Sequence, residues 1–408
     1  MTEPVQLKRS LSLTLVTFYG IGTILGAGIY VLIGEVAVTA GIFTPLSFLT
    51  ASFLALFTAI SYAELSSRFP KSAGEAVYVQ EGLQRRHLSI LTGLAVVLVG
   101  MISSATIAKG FVGYLHVFIS MPDWIVIILL VSTLGIIAIW GISESVIIAT
   151  VLTLLEIGGL LLVLWVALPS FVFLPDRLPD LIPPMEYSIW NGIFLGSFLA
   201  FYAFIGFEDM VNVAEEVKEP SKILPIAIIL ALVVTTILYF LVSLSAILVL
   251  PVDKLAGSKA PLALLYEHAT GSRPVIISLI SMFAVINGAL IQIIMASRIL
   301  YGMSKQGWLP PILGELNQVT RTPLKSTVLV TAIILILALW LPLITLAKIT
   351  SLITLLIFAM VNLSLWIIKY RQPAPEEARV FSLWIPITGF FVTIIFILLQ
   401  LLTGKIFS

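Results

Sequence analysis

The sequence predicts an all-α polytopic membrane protein with eleven transmembrane helices. Of its 408 residues, 60% are hydrophobic and 11% are charged, whereas soluble domains carry about 25% charged residues. Long apolar segments without charge recur along the chain, and each is long enough for a helix to cross a bilayer, which takes about 17–25 residues. No basic tract predicts nucleic-acid binding, and the absence of cysteine excludes disulfides and thiolate metal sites.

The eleven predicted spans are the charge-poor apolar segments of the chain. In order, they are 11–38, 44–66, 88–118, 123–141, 145–168, 189–214, 225–250, 274–300, 326–342, 346–369 and 382–403. Residues 74–84 predict a short amphipathic helix at the membrane surface. Glu64 and Arg68 have the spacing of an i,i+4 ion pair. The first apolar run is too long for a signal peptide, so we expect it to stay as a span.

The distribution of Lys and Arg predicts a cytoplasmic N-terminus, because cytoplasmic loops carry an excess of these residues. With residues 1–10 inside, fifteen of the 22 basic residues lie in inside loops, and seven lie outside or within spans. An odd number of spans then places the C-terminus outside the cell.

Glycines in the first span predict a break in that helix. Gly20, Gly22, Gly26 and Gly28 lie in one apolar run, and a glycine costs a helix interior about 1 kcal/mol relative to alanine. Membrane spans tolerate unwound backbone only where it lines a cavity or is buried in protein. The break would therefore offer free N–H and C=O groups to a ligand. The alternative interpretation is that Gly22 and Gly26 form a GxxxG motif, which packs against another helix.

The sixth span predicts a second break, at Gly206. Glu208 and Asp209 follow directly, and carboxylates at membrane depth are costly on an intact helix that faces lipid. Broken helices at corresponding positions of two halves are typical of transporter sites. Five spans in each half would insert with opposite topology. The predicted organisation is a cytoplasmic tail (1–10), a first repeat (11–168), an extracellular loop (169–188), a second repeat (189–369), a cytoplasmic loop (370–381), and an eleventh helix with the C-terminus (382–408).

Four short motifs follow one another in order along the chain. They read GIGTILGAGIY (20–30), YAELSSRFPKSAGE (62–75), AFIGFEDMVNVAEEVKEP (203–220) and SRILYGMSKQGWLP (297–310). With these motifs, over about 11–370, the chain resembles the amino acid–polyamine–organocation (APC) superfamily, in its amino acid permease branch. The resemblance implies a LeuT-like five-plus-five inverted repeat with helices 1 and 6 broken. It also implies rocking of spans one, two, six and seven against spans three, four, eight and nine.

The resemblance places a substrate site at the two breaks. A substrate carboxylate suits the free N–H groups and positive dipole at the start of a half-helix, and a substrate ammonium suits free carbonyls. The predicted substrate-binding residues are Thr23, Ile24, Gly26, Ala27, Gly28, Tyr202, Ala203, Phe204, Ile205 and Phe207. Further predicted walls are Met101, Ser103, Ser104, Asn287 and Gln292. Ala27 stands where the family commonly has serine or threonine, so a hydroxyl contact is absent there.

Glu156, in the middle of the fifth span, is the predicted coupling residue. Inserting a charged residue at a helix centre costs about 2.5–3.5 kcal/mol, so this carboxylate needs a partner or a proton. Three interpretations stay open. In the first, Glu156 titrates during the cycle: it donates to carbonyls of the first span when protonated and releases them when ionised. In the second it is a structural residue, either neutral or paired with Lys109, and in the third it is ionised and helps to hold sodium. Glu208 is a possible gate that caps the second break.

The sequence therefore predicts a secondary active transporter, with proton-coupled symport of a neutral amino acid as the leading interpretation. Amino acid exchange, sodium-coupled symport and a membrane amino acid receptor stay as alternatives. The three histidines lack the HExxH spacing, and no channel filter appears, so we expect neither an enzyme nor a channel. We expect a multi-pass protein of the cell membrane without cofactor or metal site. Its expected partners are the amino acid, the coupling ion and the lipid bilayer, and its oligomeric state stays open.

Overall fold

Helices dominate the part of the chain that the computed structural model describes, which is residues 11–26, 28–71, 74–140, 146–318, 320, 322–373 and 378–402. This confirms the predicted all-α class. The α-helices are α1 (Leu13–Leu25), α2 (Gly28–Ala40), α3 (Thr44–Arg68), α4 (Gly74–Leu83), α5 (Arg86–Leu115), α6 (Asp123–Trp140), α7 (Val146–Ala167), α8 (Leu174–Arg177), α9 (Tyr187–Phe201), α10 (Pro220–Val249), α11 (Val252–Ala256), α12 (Pro261–Thr270), α13 (Val275–Lys305), α14 (Leu324–Trp340), α15 (Leu343–Arg371) and α16 (Trp384–Leu402). Short 3₁₀ helices and loops connect them.

Length and hydropathy mark eight helical segments of the described chain as able to cross a membrane. One of them runs over 56 residues, Leu13–Arg68, and so contains the first two predicted spans. Helices α6 and α14 are shorter and also apolar. Each of the eleven predicted spans overlaps a described helix, while the count of eleven crossings stays a prediction.

The first span is interrupted at Gly26, as the glycine pattern predicts. Helix α1 ends at Leu25, and the N–H group of Gly26 still donates to the carbonyl of Gly22 at 3.2 Å. Gly26 then leaves the helical region, with φ of 9° and ψ of −114°. The next described helix, α2, begins at Gly28.

The second break is longer. Helix α9 ends at Phe201 and continues as a 3₁₀ turn to Phe204, after which Ile205 is extended. Gly206 has φ of +131°, a region that side chains with a Cβ rarely adopt. A 3₁₀ segment over Glu208–Glu216 follows. The chain therefore has two interrupted spans, which confirms the predicted breaks.

Two pairs of long helices form the frame around the breaks. Helix α5 packs along α13, and α3 packs along α10. Within this frame, α1 packs against α7 and α10, while α2 packs against α9. Both interrupted spans are thus enclosed by protein, which is the condition under which unwound backbone is tolerated at membrane depth.

A buried ionic cluster ties α3 to α15. The predicted Glu64–Arg68 pair is confirmed, with 2.7 Å between the Arg68 guanidinium and Glu64 Oε1. Lys369 of α15 also donates to both Glu64 oxygens, at 2.8 and 2.7 Å. The N–H group of Phe381 donates to Glu64 Oε2 at 2.9 Å. Two cations therefore compensate one buried carboxylate, and the cluster fixes the segment between α15 and α16 against α3.

Candidate substrate site

The two breaks lie directly against each other. A Cβ atom at Gly28 would collide with the backbone of Ala203. A Cβ atom at Gly206 would lie 2.5 Å from the carbonyl oxygen of Thr23. The Thr23 hydroxyl donates to the carbonyl of Gly206 at 2.9 Å. Glycine at both positions therefore permits a backbone approach that a side chain would prevent.

Tyr239 of α10 joins the two breaks through its hydroxyl group. This hydroxyl lies within hydrogen-bond distance of the Ile24 carbonyl, at 2.8 Å, and of the Ala203 carbonyl, at 3.0 Å. Each carbonyl oxygen has two lone pairs, so each keeps a position for another donor. The hydroxyl thus orients two of the carbonyls that the sequence assigns to a substrate ammonium.

A small cavity, here called the central cavity, lies between the breaks and helices α5 and α13. Its volume is about 30 Å³, which is room for a water molecule or two. A substrate would therefore require the surrounding walls to move apart. The described residues that line it are Thr23, Ile24, Gly26, Gly28, Ser103, Ile107, Tyr202, Ile205, Gly288, Ile291 and Gln292.

The central cavity brings together most, though not all, of the predicted substrate-binding residues. Those on its lining are Thr23, Ile24, Gly26, Gly28, Tyr202 and Ile205, with the predicted walls Ser103 and Gln292. Ala203, Phe204, Phe207, Met101 and Ser104 are buried behind it. Phe204 packs on the Tyr239 ring, and Phe207 packs on the rings of Tyr62 and Phe358. Ala27 lies outside the described residues. The binding roles of all these residues stay predictions.

The side chain of Tyr202 is held at the cavity wall by α5. The oxygen atoms of the Tyr202 and Ser103 hydroxyl groups lie 2.9 Å apart. The Tyr202 hydroxyl is also 3.3 Å from the main-chain carbonyl of Ser103. This contact connects the second break to a helix of the frame, just as Tyr239 connects both breaks to α10.

Glu156 lies in α7, completely buried, at 0% exposure. One carboxyl oxygen, Oε1, accepts a hydrogen bond of 3.3 Å from the amide of Asn287. The other oxygen, Oε2, is buried without a hydrogen-bond partner. Within the described residues, no recorded ion pair or hydrogen bond joins the Glu156 carboxyl group to Lys109 or to a carbonyl of α1. An ionised carboxylate here would lack a counter-charge.

Helix α7 is close to the first break. A Cβ atom at Gly22 would collide with the hydroxyl of Thr153, which precedes Glu156 by three residues and so shares its face of α7. On the other side of the break, the Tyr30 hydroxyl donates to the main-chain carbonyl of Glu156 at 2.6 Å. The position of Glu156 is therefore linked to both halves of the first span.

A second small cavity adjoins the central cavity and is here called the carboxylate cavity. Its volume is about 20 Å³, and Glu75, Glu208 and Asp209 are on its lining. Ile205 and Gln292 line both cavities. Glu208 accepts a hydrogen bond of 2.8 Å from the N–H group of Gly206 through Oε2. This contact agrees with a cap on the second break, while a gating role stays a prediction.

A wide cavity of about 450 Å³, here called the vestibule, follows the carboxylate cavity. Met295 and Ile299 line both. Among its other lining residues are Lys71, Glu81 and Arg298. The shared residues place the three cavities in series, from the vestibule through the carboxylate cavity to the central cavity at the breaks.

The predicted site residues do not include Tyr239, Glu75 or Gly288. Tyr239 is one aromatic residue in an apolar run, so no local pattern marks its hydroxyl. Glu75 belongs to an amphipathic surface helix, where a carboxylate is usually solvated. Gly288 faces Gly26 across the cavity, since a Cβ atom at Gly288 would lie 3.7 Å from Gly26 Cα. Of these three residues, only Gly288 has a sequence feature that could indicate a site, because it follows the polar Asn287 within an apolar span.

Comparisons with known proteins establish the family. The family model for amino acid permeases matches residues 11–405, nearly the whole chain. The chain belongs to the amino acid permease family. This confirms the resemblance found from the four motifs. The family assignment indicates a transporter rather than an enzyme.

Individual relatives are named for different substrates. The chain is 28% identical to the branched-chain amino acid permease BcaP of Bacillus subtilis (strain 168), over 98% of this chain and 92% of the relative. It is 30% identical to the vacuolar cationic amino acid transporter 2 of Arabidopsis thaliana, over 92% of this chain. The match covers 62% of that transporter's own length.

The fold is similar to that of a solved structure, MhsT in complex with L-phenylalanine. The TM-score is 0.65, and the alignment covers 97% of this chain and 99% of MhsT, at 14% sequence identity. At this identity the likeness shows the fold alone. It confirms the LeuT-like fold class predicted from the sequence.

Proposed function

We propose that the protein is a secondary active transporter that moves an amino acid across the cell membrane by alternating access. The observation that carries this proposal is the central cavity, which lies where two interrupted spans meet and is lined by residues of both breaks. Substrate sites formed by discontinuous helices at the bilayer midplane are typical of such transporters. Membership of the amino acid permease family supports an amino acid as the substrate.

The backbone at the breaks suits both ends of an amino acid. Helix α2 begins at Gly28, so its first N–H groups and its positive dipole end are available to a carboxylate. Thr23 and Ile24 lie at the end of α1, and Tyr202 directly follows the end of α9. The carbonyl groups of these residues suit an ammonium. This arrangement recognises the part that all amino acids share and leaves the side chain to the remaining walls.

Those walls favour a neutral, aliphatic substrate side chain. Ile107, Ile205 and Ile291 supply apolar surface, while no described residue that lines the central cavity is charged. Burying an aliphatic side chain there contributes about 0.8 kcal/mol for each CH₂ group. The substrate class in the name of BcaP, branched-chain amino acids, agrees with such walls.

Proton coupling through Glu156 is the mechanism that the buried carboxyl group supports best. One carboxyl oxygen is buried without a partner, and leaving an ionised group in that condition is costly. Protonation removes the cost, and the links from α7 to both halves of the first span offer a route by which the proton affects the breaks. The protein then works as a symporter of a proton and an amino acid.

A cationic amino acid is the second candidate substrate. The carboxylate cavity directly adjoins the central cavity, and its three acidic residues form a suitable end for a long basic side chain. The name of the Arabidopsis relative, a cationic amino acid transporter, agrees with this alternative. The two candidates differ in whether the substrate side chain stops at the isoleucines or passes Ile205 and Gln292.

The proposed orientation places the vestibule on the cytoplasmic side. Lys71 and Arg298 line it, and cytoplasmic regions are enriched in Lys and Arg. The N-terminus then lies in the cytoplasm. Labelling of single cysteines introduced at exposed positions beside the vestibule, in intact and in permeabilised cells, tests this orientation, because the natural chain has no cysteine.

Uptake into proteoliposomes tests the proposed function. Radiolabelled neutral, cationic and acidic amino acids are offered with an imposed pH gradient, and protein-free liposomes serve as the control. We expect accumulation of a neutral amino acid that collapses with a protonophore. Uptake that depends on a sodium gradient would indicate sodium-coupled symport instead of proton symport. Uptake that occurs only when the liposomes contain amino acid would indicate exchange. Binding without transport of any amino acid contradicts the proposal and indicates a receptor.

A further inference from the structure

The carboxylate cavity concentrates acidic side chains from two distant parts of the chain. Glu75 comes from α4, and Glu208 and Asp209 come from the segment after the second break. Their exposed fractions are 3%, 7% and 5%. No described residue that lines this cavity is basic. Three carboxyl groups therefore share one buried space without a cation among the residues around it.

The recorded hydrogen-bond partners of these carboxyl groups are neutral. Asp209 Oδ2 accepts from the Gln292 amide at 3.1 Å, and Glu75 Oε1 accepts from the Tyr62 hydroxyl at 3.3 Å. Glu208 accepts from a main-chain N–H group, as described above. Neutral donors do not cancel repulsion between neighbouring carboxylates, and like charges at one site disfavour simultaneous ionisation. At least one proton therefore belongs to this cavity.

An independent feature shows that the cavity has unused hydrogen-bonding capacity. The hydroxyl oxygen of Thr354 on α15 is buried without a hydrogen-bond partner, and this residue lines the same cavity. Its exposed fraction is 1%, and buried hydroxyl groups normally have a partner. The cavity volume of about 20 Å³ is enough for one water molecule. A water or a hydrated proton fits both the space and the free hydroxyl.

The cavity also has the right location for a relay. It shares Met295 and Ile299 with the vestibule, and Ile205 and Gln292 with the central cavity. A proton or a substrate that passes between the vestibule and the breaks would therefore pass the three carboxyl groups. Glu75 is the member that comes from a helix outside the spanning segments, and α4 packs against α5 and α15.

We propose that Glu75 is a second proton site, separate from Glu156, which exchanges its proton with the vestibule and with Asp209 across the carboxylate cavity. The O–H bond of the Glu75 carboxyl group breaks as the proton passes to a water in the cavity, and the same water gives a proton to the Asp209 carboxylate. Total charge and electrons are unchanged. This inference rests on the proposed transport function, because the relay acts during opening toward the vestibule.

The electrostatics of Glu75 support such a role. Burial raises the pKa of Glu75 to about 7, and the neighbouring charge of Asp209 adds to this effect. The titratable groups that face Glu75 are Tyr62, Tyr78, Glu208 and Asp209. Glu75 is thus protonated below about pH 7 and ionised above it, so the proton is exchangeable near neutral pH.

A titration that needs no substrate tests the proton site directly. Infrared spectra of the carboxylic C=O stretch are recorded for the protein in nanodiscs between about pH 6 and about pH 8, one unit on each side of the pKa of about 7. We expect one carboxyl signal to disappear as the pH rises. Glu75→Gln should remove this titration, whereas Glu81→Gln, an exposed position on the same helix, should keep it.

A second variant keeps the test decisive if Glu75→Gln does not insert correctly. Glu75→Asp retains a titratable group and should move the same band to the frequency of aspartic acid. A titration that is identical in wild type, Glu75→Gln and Glu75→Asp overturns the proposal. This result would leave the proposed amino acid transport untouched, since no substrate is involved.

Proteoliposomes with a trapped pH indicator test the relay itself. If wild type transports an amino acid with a proton, Glu75→Gln should retain counterflow exchange of that amino acid and lose pH-dependent proton entry. Unchanged proton entry in Glu75→Gln contradicts the relay. If Glu75→Gln loses only the transport of lysine and arginine and keeps proton coupling of neutral substrates, the relay is contradicted. The carboxylate cavity would then bind a cationic substrate side chain. Sodium dependence that Glu75→Gln abolishes assigns it to a metal cation and likewise contradicts the relay.

Discussion

The central cavity and the carboxylate cavity share Ile205 and Gln292, yet their chemistry differs sharply. The central cavity is lined by glycines, isoleucines and neutral polar residues, whereas the carboxylate cavity has three acidic residues. Ile205, directly before Gly206, lines both cavities, whereas Glu208 and Asp209, after Gly206, line only the carboxylate cavity of the two. Main-chain dipoles do not titrate, whereas burial raises the pKa of Glu75 in the carboxylate cavity to about 7. In the proposed mechanism, substrate recognition takes place at the central cavity and the proton exchange of Glu75 at the carboxylate cavity.

Substitution of Gly28 by alanine should have the largest effect on the central cavity. The new Cβ atom would collide with the backbone of Ala203, so the two breaks would be pushed apart. Overpacking of this kind costs about 1–3 kcal/mol, which corresponds to an affinity loss of about 5- to 150-fold. Equilibrium binding of the transported amino acid to the protein in nanodiscs measures the loss.

Gly158→Ala is the matched control for this substitution. Gly158 lies in α7, and a Cβ atom there meets nothing within 4 Å. Alanine at this position should leave affinity unchanged and favour the helix by about 1 kcal/mol. Equal affinities of Gly28→Ala and wild type would mean that the contact between the breaks does not shape the substrate site. The infrared titration of Glu75 should be retained in both variants, which keeps the two cavities separable.

Glu156→Gln should have the next largest effect, and it should act on coupling rather than on recognition. A pH difference of one unit is worth about 1.36 kcal/mol, so one coupled proton supports about tenfold accumulation of substrate. Glutamine keeps the size of the side chain but cannot exchange a proton. We expect the internal concentration of the amino acid to rise only to the external concentration, while exchange of internal for external amino acid continues.

Glu35→Gln provides the comparison for Glu156→Gln. Glu35 is an acidic residue of α2 in a separate pocket that also contains Lys109 and Asp123, and its replacement should leave accumulation intact. Accumulation by Glu156→Gln with an unchanged pH dependence would falsify the proton role of Glu156. Coupling would then have to be sought in the carboxylate cavity alone.

The sequence was sufficient to predict the fold class and both breaks, because the signals for them are local. Charge-free apolar segments predict the helices, and Gly26, Gly28 and Gly206 lie where the helices are interrupted. The chemistry behind the breaks was harder to predict. The buried state of Glu75 depends on how α4 packs against α5 and α15, and nothing in an amphipathic segment distinguishes a buried carboxylate from a solvated one. Contacts of this kind arise only when distant segments meet.

Tyr239 shows the same limit and leads to the smallest expected effect. Its hydroxyl contacts Ile24 and Ala203, which are 215 and 36 residues away in sequence. Tyr239→Phe removes a hydrogen bond worth about 1 kcal/mol, so we expect a loss of substrate affinity of about fivefold. Tyr114→Phe is the control, since the Tyr114 hydroxyl donates to the Tyr30 carbonyl inside the intact helix α2. Both variants should lose similar thermal stability, and only Tyr239→Phe should lose affinity. If both lose affinity equally, the effect belongs to general packing of the frame, and Tyr239 has no special role in orienting the carbonyls between the two breaks.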